Sequence, residues 1–402
     1  MGLGKTYIGS EKAVSLGKNI LVVCQKSKVS DWVNHFKDNH SDSDILVYDL
    51  TLGQSIIDMF VEWSDKTTKY DLNKKCVGII NYDLIWRRPE LSQLTDFTLM
   101  LDESSLIQND TSKRSKFVLN RLTPSNVILL SGTPVSGKYE LIWSQCKLLG
   151  WNISKELFHR QYVVYEYNDD GYPVIVGYKN VERLKRKLRL YGAVFKKTDE
   201  VLTLPTQNFI NVNVPETKEY KKFRKDRIVE VEGVELVGDT TLTNMLYQRM
   251  LCSQYNKAKL DALSDILDST NDRLVVFYNF NAELDGLVAI CGEKGRPMSF
   301  CNGSDKDFDN FEKCDNAVIL VQYQSGAYGL NLQKANKLVY FSPPLSSDLF
   351  EQSKKRIHRI GQDYPCFYYQ LKCGIDHRIY KVLAMRCDYT DNLFKEEEES
   401  CE

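Results

Sequence analysis

Short, wholly apolar runs recur through this chain, and they constrain its fold more than any other feature. Ile20 to Cys24 reads Ile-Leu-Val-Val-Cys, and similar runs stand at Ile45 to Tyr48, Val77 to Ile80, Leu99 to Leu101 and Val127 to Leu130. A strand facing solvent on one side alternates polar and apolar residues, so a continuous apolar run predicts a parallel strand buried on both faces. Helical spacing lies between several of the runs. Tyr7 to Leu16 has it and stops at Gly17-Lys18-Asn19, a sequence suited to a helix C-cap. Strands alternating with helices predict a doubly wound α/β sheet. A second rhythm follows at Leu274 to Phe277, Met298 to Cys301, Val318 to Val321, Lys337 to Phe341 and Phe367 to Leu371. The 402 residues leave room for both.

Ligands of such sheets gather at the carboxyl ends of the strands, and there the polar residues fall. Leu101-Asp102-Glu103-Ser104-Ser105 places two carboxylates at one strand end. Asp102 suits Mg²⁺ held through water, and Glu103 suits the polarisation of an attacking water in ATP hydrolysis. Asp-Glu alone also reads as an acidic helix N-terminus capped by serine. The next run ends in Ser131-Gly132-Thr133-Pro134, a tight turn whose hydroxyls are expected to contact Asp102 and Glu103.

Met1-Gly2-Leu3-Gly4-Lys5-Thr6 has the form of the back half of a phosphate-binding loop. Gly2 and Gly4 let backbone amides turn toward an anion; Lys5 reaches the β- and γ-phosphates, and Thr6 offers its hydroxyl to Mg²⁺. The helix that follows aims its positive end at the same phosphates. The full pattern would put its first glycine before residue 1. An apolar strand ending in an acidic pair is therefore expected to be encoded just upstream. Six residues alone read equally as a flexible N-terminus.

The formal net charge of −1 announces no polyanion partner, but its distribution does. Lys179 to Arg227 holds 14 Lys and Arg against six Asp and Glu, with Lys185-Arg186-Lys187 on an expected helix. Just before this region Tyr162, Tyr165, Tyr167, Tyr172 and Tyr178 form an aromatic patch around a turn at Asp169-Asp170-Gly171. A basic stripe with aromatics suits a duplex backbone, and a solvated helix face reads nearly as well. The 11 cysteines include no C-x-x-C, which fits thiols kept reduced in a cytoplasm. No apolar run approaches the ~18 residues of a membrane span. The run Glu396 to Glu399 reads as a solvated tail.

Taken in order, these motifs resemble a known family. Gly2-Leu3-Gly4-Lys5-Thr6, Asp102-Glu103 with Ile107-Gln108-Asn109, and Ser131-Gly132-Thr133-Pro134 resemble the first-lobe motifs of superfamily-two helicase-like ATPases, most closely the Swi/Snf-type DNA translocases. Val22-Val23-Cys24 followed by Trp32 is similar to their second motif, with Gln25 where the family usually has proline. Ile80-Asn81-Tyr82-Asp83 is similar to their DNA-touching loop. Phe195-Lys196-Lys197-Thr198 to Leu204-Pro205 is similar to the close of their insertion, with lysines where arginines are usual. Gly326 to Leu332, and then Gln352, Arg356, Arg359, Gly361 and Gln362, resemble their final motifs. Arg356 and Arg359 are three apart, so one helix would point both guanidiniums at a γ-phosphate. His358 has no second ligand at metal spacing and reads as structural.

The resemblance implies two RecA-like lobes, each a mostly parallel doubly wound sheet, with a helical, basic insertion closing the first lobe and that lobe's first strand missing. Expected boundaries are 1–150, 151–205, 206–385 and an acidic tail at 386–402. The chain is expected to hydrolyse ATP with Mg²⁺ in a cleft between lobes and to move on double-stranded DNA of any sequence. Glu103, Gln352, Arg356 and Arg359 are implied as catalytic, and Gly2, Gly4, Lys5, Thr6, Asp102 and Gly329 as nucleotide-binding, with Thr6 and Asp102 on the metal. Lys26, Asn81, Tyr82, Lys185, Arg186, Lys187, Gly326 and Asn331 are implied as DNA contacts. A compact bacterial or phage form with replication or recombination partners is expected. Two rivals stay open: a strand-separating helicase, and a DNA-binding module that does not use ATP.

Overall fold

Asn19–Cys24 (β1) is buried at all six positions. Ile20, Val22 and Cys24 face one layer, built with Ala13, Trp32 and Phe36, while Leu21 and Val23 face another, built with Ile57, Phe60 and Phe117. Successive side chains of a strand point to opposite faces, so a strand covered on both sides has no polar position to offer. In the computed structural model, which describes residues 4–40, 44–70, 74–167, 171–196, 203–326 and 330–394 with side chains to residue 386, β1 is the centre of a five-stranded sheet. The other strands are Ile45–Asp49 (β2), Lys75–Asn81 (β3), Phe97–Asp102 (β4) and Asn126–Leu130 (β5), in the order β2-β3-β1-β4-β5 and all parallel. The helix Val29–Asn39 buries Val29, Trp32, Val33 and Phe36, the spacing of one helical face.

The chain divides into two compact units, Met1–Lys197 with Asp388–Glu402, and Thr198–Cys387. The first unit carries more than its sheet. The helix Lys155–Tyr162, the antiparallel hairpin of Val163–Tyr167 (β6) and Pro173–Tyr178 (β7), and the helix Val181–Leu190 share a core of Trp151, Phe158, Tyr162, Leu184 and Leu188. The hairpin adds two strands to the insertion, which was expected to be helical and basic. Its β-branched and aromatic strands flank Asn168-Asp169-Asp170-Gly171, a turn signal that was legible. Asp169 and Asp170 lie outside the described residues, as do Lys197, Thr198 and Glu396 to Glu399.

The second unit is built on Gln207–Asn213 (β8), Leu274–Tyr278 (β11), Met298–Cys301 (β12), Lys306–Asp307 (β13), Val318–Gln322 (β14), Lys337–Tyr340 (β15) and Cys366–Lys372 (β16), with Ile228–Val231 (β9) and Val234–Val237 (β10) forming a separate hairpin. The sheet order is β13-β12-β14-β11-β15-β16-β8, parallel throughout except for β13. Leu274 and Val276 join Leu263 and Leu287 on one side, and Val275 and Phe277 join Phe350 and Tyr380 on the other. The edge strand β8 was not foreseen, because Gln-Asn-Phe-Ile-Asn-Val-Asn alternates and lacks a continuous apolar run. No helix among the described residues is long and apolar enough to cross a membrane.

One polar pair sits in this second core. Lys259 and Asp376 have side chains 0% and 2% exposed and meet at 2.6 Å. Lys259 Nζ also donates to Phe341 O at 2.9 Å, and the Cys373 amide donates to the Asp376 carboxylate at 3.2 Å. Burial raises the Asp376 pKa, and the Lys259 charge opposes it. Lys259→Ala would strand a buried carboxylate and should destabilise the protein by about 3–5 kcal/mol in denaturant unfolding, with Lys259→Met/Asp376→Leu recovering most of the loss.

Candidate nucleotide and nucleic-acid site

The carboxyl ends of β3, β1 and β4 lie side by side and deliver Asn81, then Lys26 just beyond β1, then Asp102 and Glu103. The helix Lys5–Ser15 packs on one face of this sheet through Ala13. Gly4, its N-cap, has φ +71, a left-handed conformation that side chains disfavour, and makes no side-chain cap bond. Lys5 Nζ lies 3.3 Å from Glu103 Oε1, so the loop and the carboxylate pair meet. Thr6 is half-buried on the same first turn, and Gly2 lies outside the described residues.

Glu103 itself is held in the left-handed region at φ 53, ψ 59. For a residue with a Cβ this costs about 1–2 kcal/mol, so its surroundings must impose it. The Tyr82 hydroxyl donates to Asp102 O at 2.9 Å and reaches Glu103 O at 3.5 Å. From the opposite face of the sheet, Trp32 Nε1 donates to Asp102 Oδ2 at 2.9 Å. The Gly132 amide approaches Glu103 Oε2 at 3.5 Å. Burial pushes the Asp102 carboxyl pKa up and the Glu103 charge adds to this, while the Trp32 N–H and Lys5 pull it down.

Several expectations need correction. The Ser131 hydroxyl does not turn to Asp102 or Glu103; it accepts from the Thr133 amide at 3.1 Å. Asn81 and Tyr82 are 3% and 2% exposed, because β3 is covered on both faces and the Tyr82 ring packs in the core with Ile80 and Ile85, and neither offers a side chain to a passing duplex. Lys185 is buried too, on the apolar face of its helix beside Leu184 and Leu188, and pairs with Glu182 at 2.9 Å. Arg186 is exposed, Lys187 half-buried and Lys26 exposed, so these three remain open to a polyanion.

In the second unit, Arg356 and Arg359 do not share a helix. The helix Ser347–Lys354 ends before both, and the Arg356 carbonyl accepts from the Leu332 amide instead of continuing it. The two guanidiniums nevertheless converge on Leu330 O, at 3.0 Å from Arg356 and 3.4 Å from Arg359. Arg356 is buried, and it also donates to Gln352 O at 2.9 Å and to Gln352 Oε1 at 3.3 Å, so it reads as the internal brace of this turn. Arg359 is half-buried and donates to Oδ1 of the exposed Asn331. Gly326 is buried, and a Cβ there would fall 1.9 Å from Val321 Cγ1, so packing rather than ligand contact requires the glycine. Gly329 lies outside the described residues. His358 bonds Pro205 O at 2.8 Å, and no metal-holding group of side chains occurs among the described residues.

Sequence reasoning named one group only within a motif and missed another. Trp32 carried no role, although it holds Asp102. Gln145 accepts from Ser104 Oγ at 2.9 Å and donates to Pro134 O at 2.7 Å, tying the loops after β4 and β5 together. Nothing in local spacing announces contacts made across dozens of residues.

A model of the SNF2-related domain matches residues 1–258, and one of the helicase conserved C-terminal domain matches residues 258–361. The chain is 25% identical over 317 residues to the putative ATP-dependent helicase/translocase YwqA of Bacillus subtilis, spanning 68% of this chain and 33% of that protein. It is 23% identical over 418 residues to the ISWI chromatin-remodeling complex ATPase ISW1 of Saccharomyces cerevisiae, spanning 90% of this chain and 35% of that one. It therefore spans about a third of the length of these relatives. Among solved structures, the Sulfolobus solfataricus SWI2/SNF2 ATPase core in complex with dsDNA aligns at TM-score 0.41 and 18% identity, over 97% of this chain and 86% of that one. With the first of these models matching more than half of its length, the chain belongs to the SNF2-related family, and a helicase C-terminal domain follows.

Proposed function

We propose that this chain is a DNA-dependent ATPase motor that moves on double-stranded DNA in a cytoplasm. The observation that carries the reading is the meeting of Lys5 with Glu103 beside an Asp102 fixed by Trp32. Lys5 binds the β- and γ-phosphates, the uncapped first turn of its helix faces them, and Glu103 orients the attacking water. Thr6 and Asp102 fit Mg²⁺, since a hydroxyl and a carboxylate are hard oxygen donors and Trp32 engages only one carboxylate oxygen. When bound, the metal would neutralise charge on the phosphates. Arg359 supplies positive charge to the transferring phosphoryl group, and Arg356 and Gln352 brace the turn that carries it. Lys26, Arg186 and Lys187 contact the phosphate backbone, which positions a protein without specifying sequence. The free cysteines of the described residues suit a reducing compartment.

A second reading has one observation in its favour. The β6–β7 hairpin stands outside both large sheets, with Tyr167 76% and Tyr172 69% exposed. It has no Lys or Arg from Val163 to Tyr178, so phosphate contact is not its work, and a strand-separating wedge is the alternative.

Glu103→Gln should keep Mg²⁺–ATP binding and lose turnover by orders of magnitude, and Arg359→Ala should lose roughly 10³-fold, both read by steady-state ATPase with duplex present. Wild-type turnover in either variant would mean the site is misplaced. Because only glycine accepts the left-handed region freely, Glu103→Gly should be inactive yet up to about 1 kcal/mol more stable by denaturant unfolding. Stimulation by duplex DNA of any sequence should fall steeply with salt. On a blunt duplex the motor should displace a third strand and leave the pair intact. Release of a single strand, abolished by Tyr167→Ala, would favour the wedge.

A further inference from the structure

Tyr82 begins the short helix Tyr82–Ile85, which follows β3 directly. Its hydroxyl reaches the carbonyl of Asp102 at the end of β4, two strands away across β1. Burial pushes that hydroxyl well above the usual tyrosine range, so it stays a donor. Beside the same helix, Arg87 from just past its end and Lys113 and Arg114 from the helix Lys113–Asn120 form a cationic surface. Asp83 pairs with Arg114 at 3.5 Å, and the Trp86 ring lies between the Arg87 guanidinium at 4.9 Å and the Lys113 ammonium at 4.6 Å. Arg87 and Lys113 are exposed. A phosphate arriving there competes with Asp83 for Arg114 and loads the helix whose first residue holds the Glu103 backbone. The Asn81 Oδ1 at the head of this helix is buried with no partner among the described residues.

We propose that Tyr82 is a positioning residue that couples a polyanion on the Arg87–Lys113–Arg114 surface to the backbone setting of Glu103. This rests on the ATPase reading given above, and it adds a route by which DNA sets the hydrolysis rate. The ring packs in the core and touches neither nucleotide nor duplex; only its hydroxyl carries the coupling. Trp32 is the contrasting case, since it grips the Asp102 side chain from the other face and is needed with or without DNA.

The test uses the full chain and compares Tyr82→Phe with Trp32→Phe. ATP turnover is measured with and without a blunt mixed-sequence duplex, duplex affinity by fluorescence anisotropy, and folding by thermal melting. Tyr82→Phe should lower the ratio of stimulated to basal turnover about tenfold with duplex affinity unchanged. In Trp32→Phe both rates should fall together, preserving the ratio. An unchanged ratio in Tyr82→Phe, or an equal loss of ratio in Trp32→Phe, overturns the coupling. A second measurement needs no variant: duplex alone should change hydrogen exchange at residues 102–106 of the wild type, and no change there overturns the inference. Wild-type turnover insensitive to duplex would instead sink the ATPase reading itself.

Discussion

The main chain between Asp102 and Glu103 has to bend into a conformation that glutamate resists, and the rest of the first unit is arranged so that it must. A parallel sheet buried on both faces fixes where β4 ends. Two aromatic side chains, one from each covering layer, then seize the last residue of that strand. Neither bond would suffice alone to aim a carboxylate. Together they set the carbonyl and the side chain of Asp102 independently, and the left-handed turn that follows swings Glu103 to Lys5. Local strain persists here because dense packing on both sides overdetermines it.

Much of this was legible in the sequence, and the reason is the period of burial. The ten runs expected as strands from Ile20 to Leu371 all became strands, and the wholly apolar ones such as β1 did so because a strand covered on both faces has only one composition open to it. Motifs at strand ends were legible for the same reason: once β1 and β4 are placed, Lys26 and Asp102 have little freedom. What was not legible depends on long-range packing. Asn81, Tyr82 and Lys185 looked like surface polar residues and are buried, because one strand terminus is covered on both faces and one helix carries a lysine on its apolar face. The edge strand β8 escaped notice because half of it faces outward.

The arginines of the second unit show a subtler limit. Spacing by three implied one helix face, yet the helix stops at Lys354 and a turn brings the two guanidiniums to the same carbonyl. Convergence survived while its geometric basis changed. The division of labour could not be read from spacing: Arg356 is walled in by main-chain oxygens, and Arg359 is left partly open beside Asn331.

The contact between Lys5 and Glu103 has a thermodynamic consequence for any phosphate that comes to this loop. The ammonium already has an anionic neighbour, partly screened from water, with side-chain exposures of 26% and 15%. A phosphate therefore enters by exchange, one anion for another, and not by filling an empty cation site. In an exchange of like charges the change in counterion atmosphere at the lysine is small, so that step depends weakly on ionic strength, unlike the capture of a duplex. On the proposed reading, the displaced carboxylate is the one that acts on water. On that reading the Lys5–Glu103 contact holds the base until a phosphate takes its place.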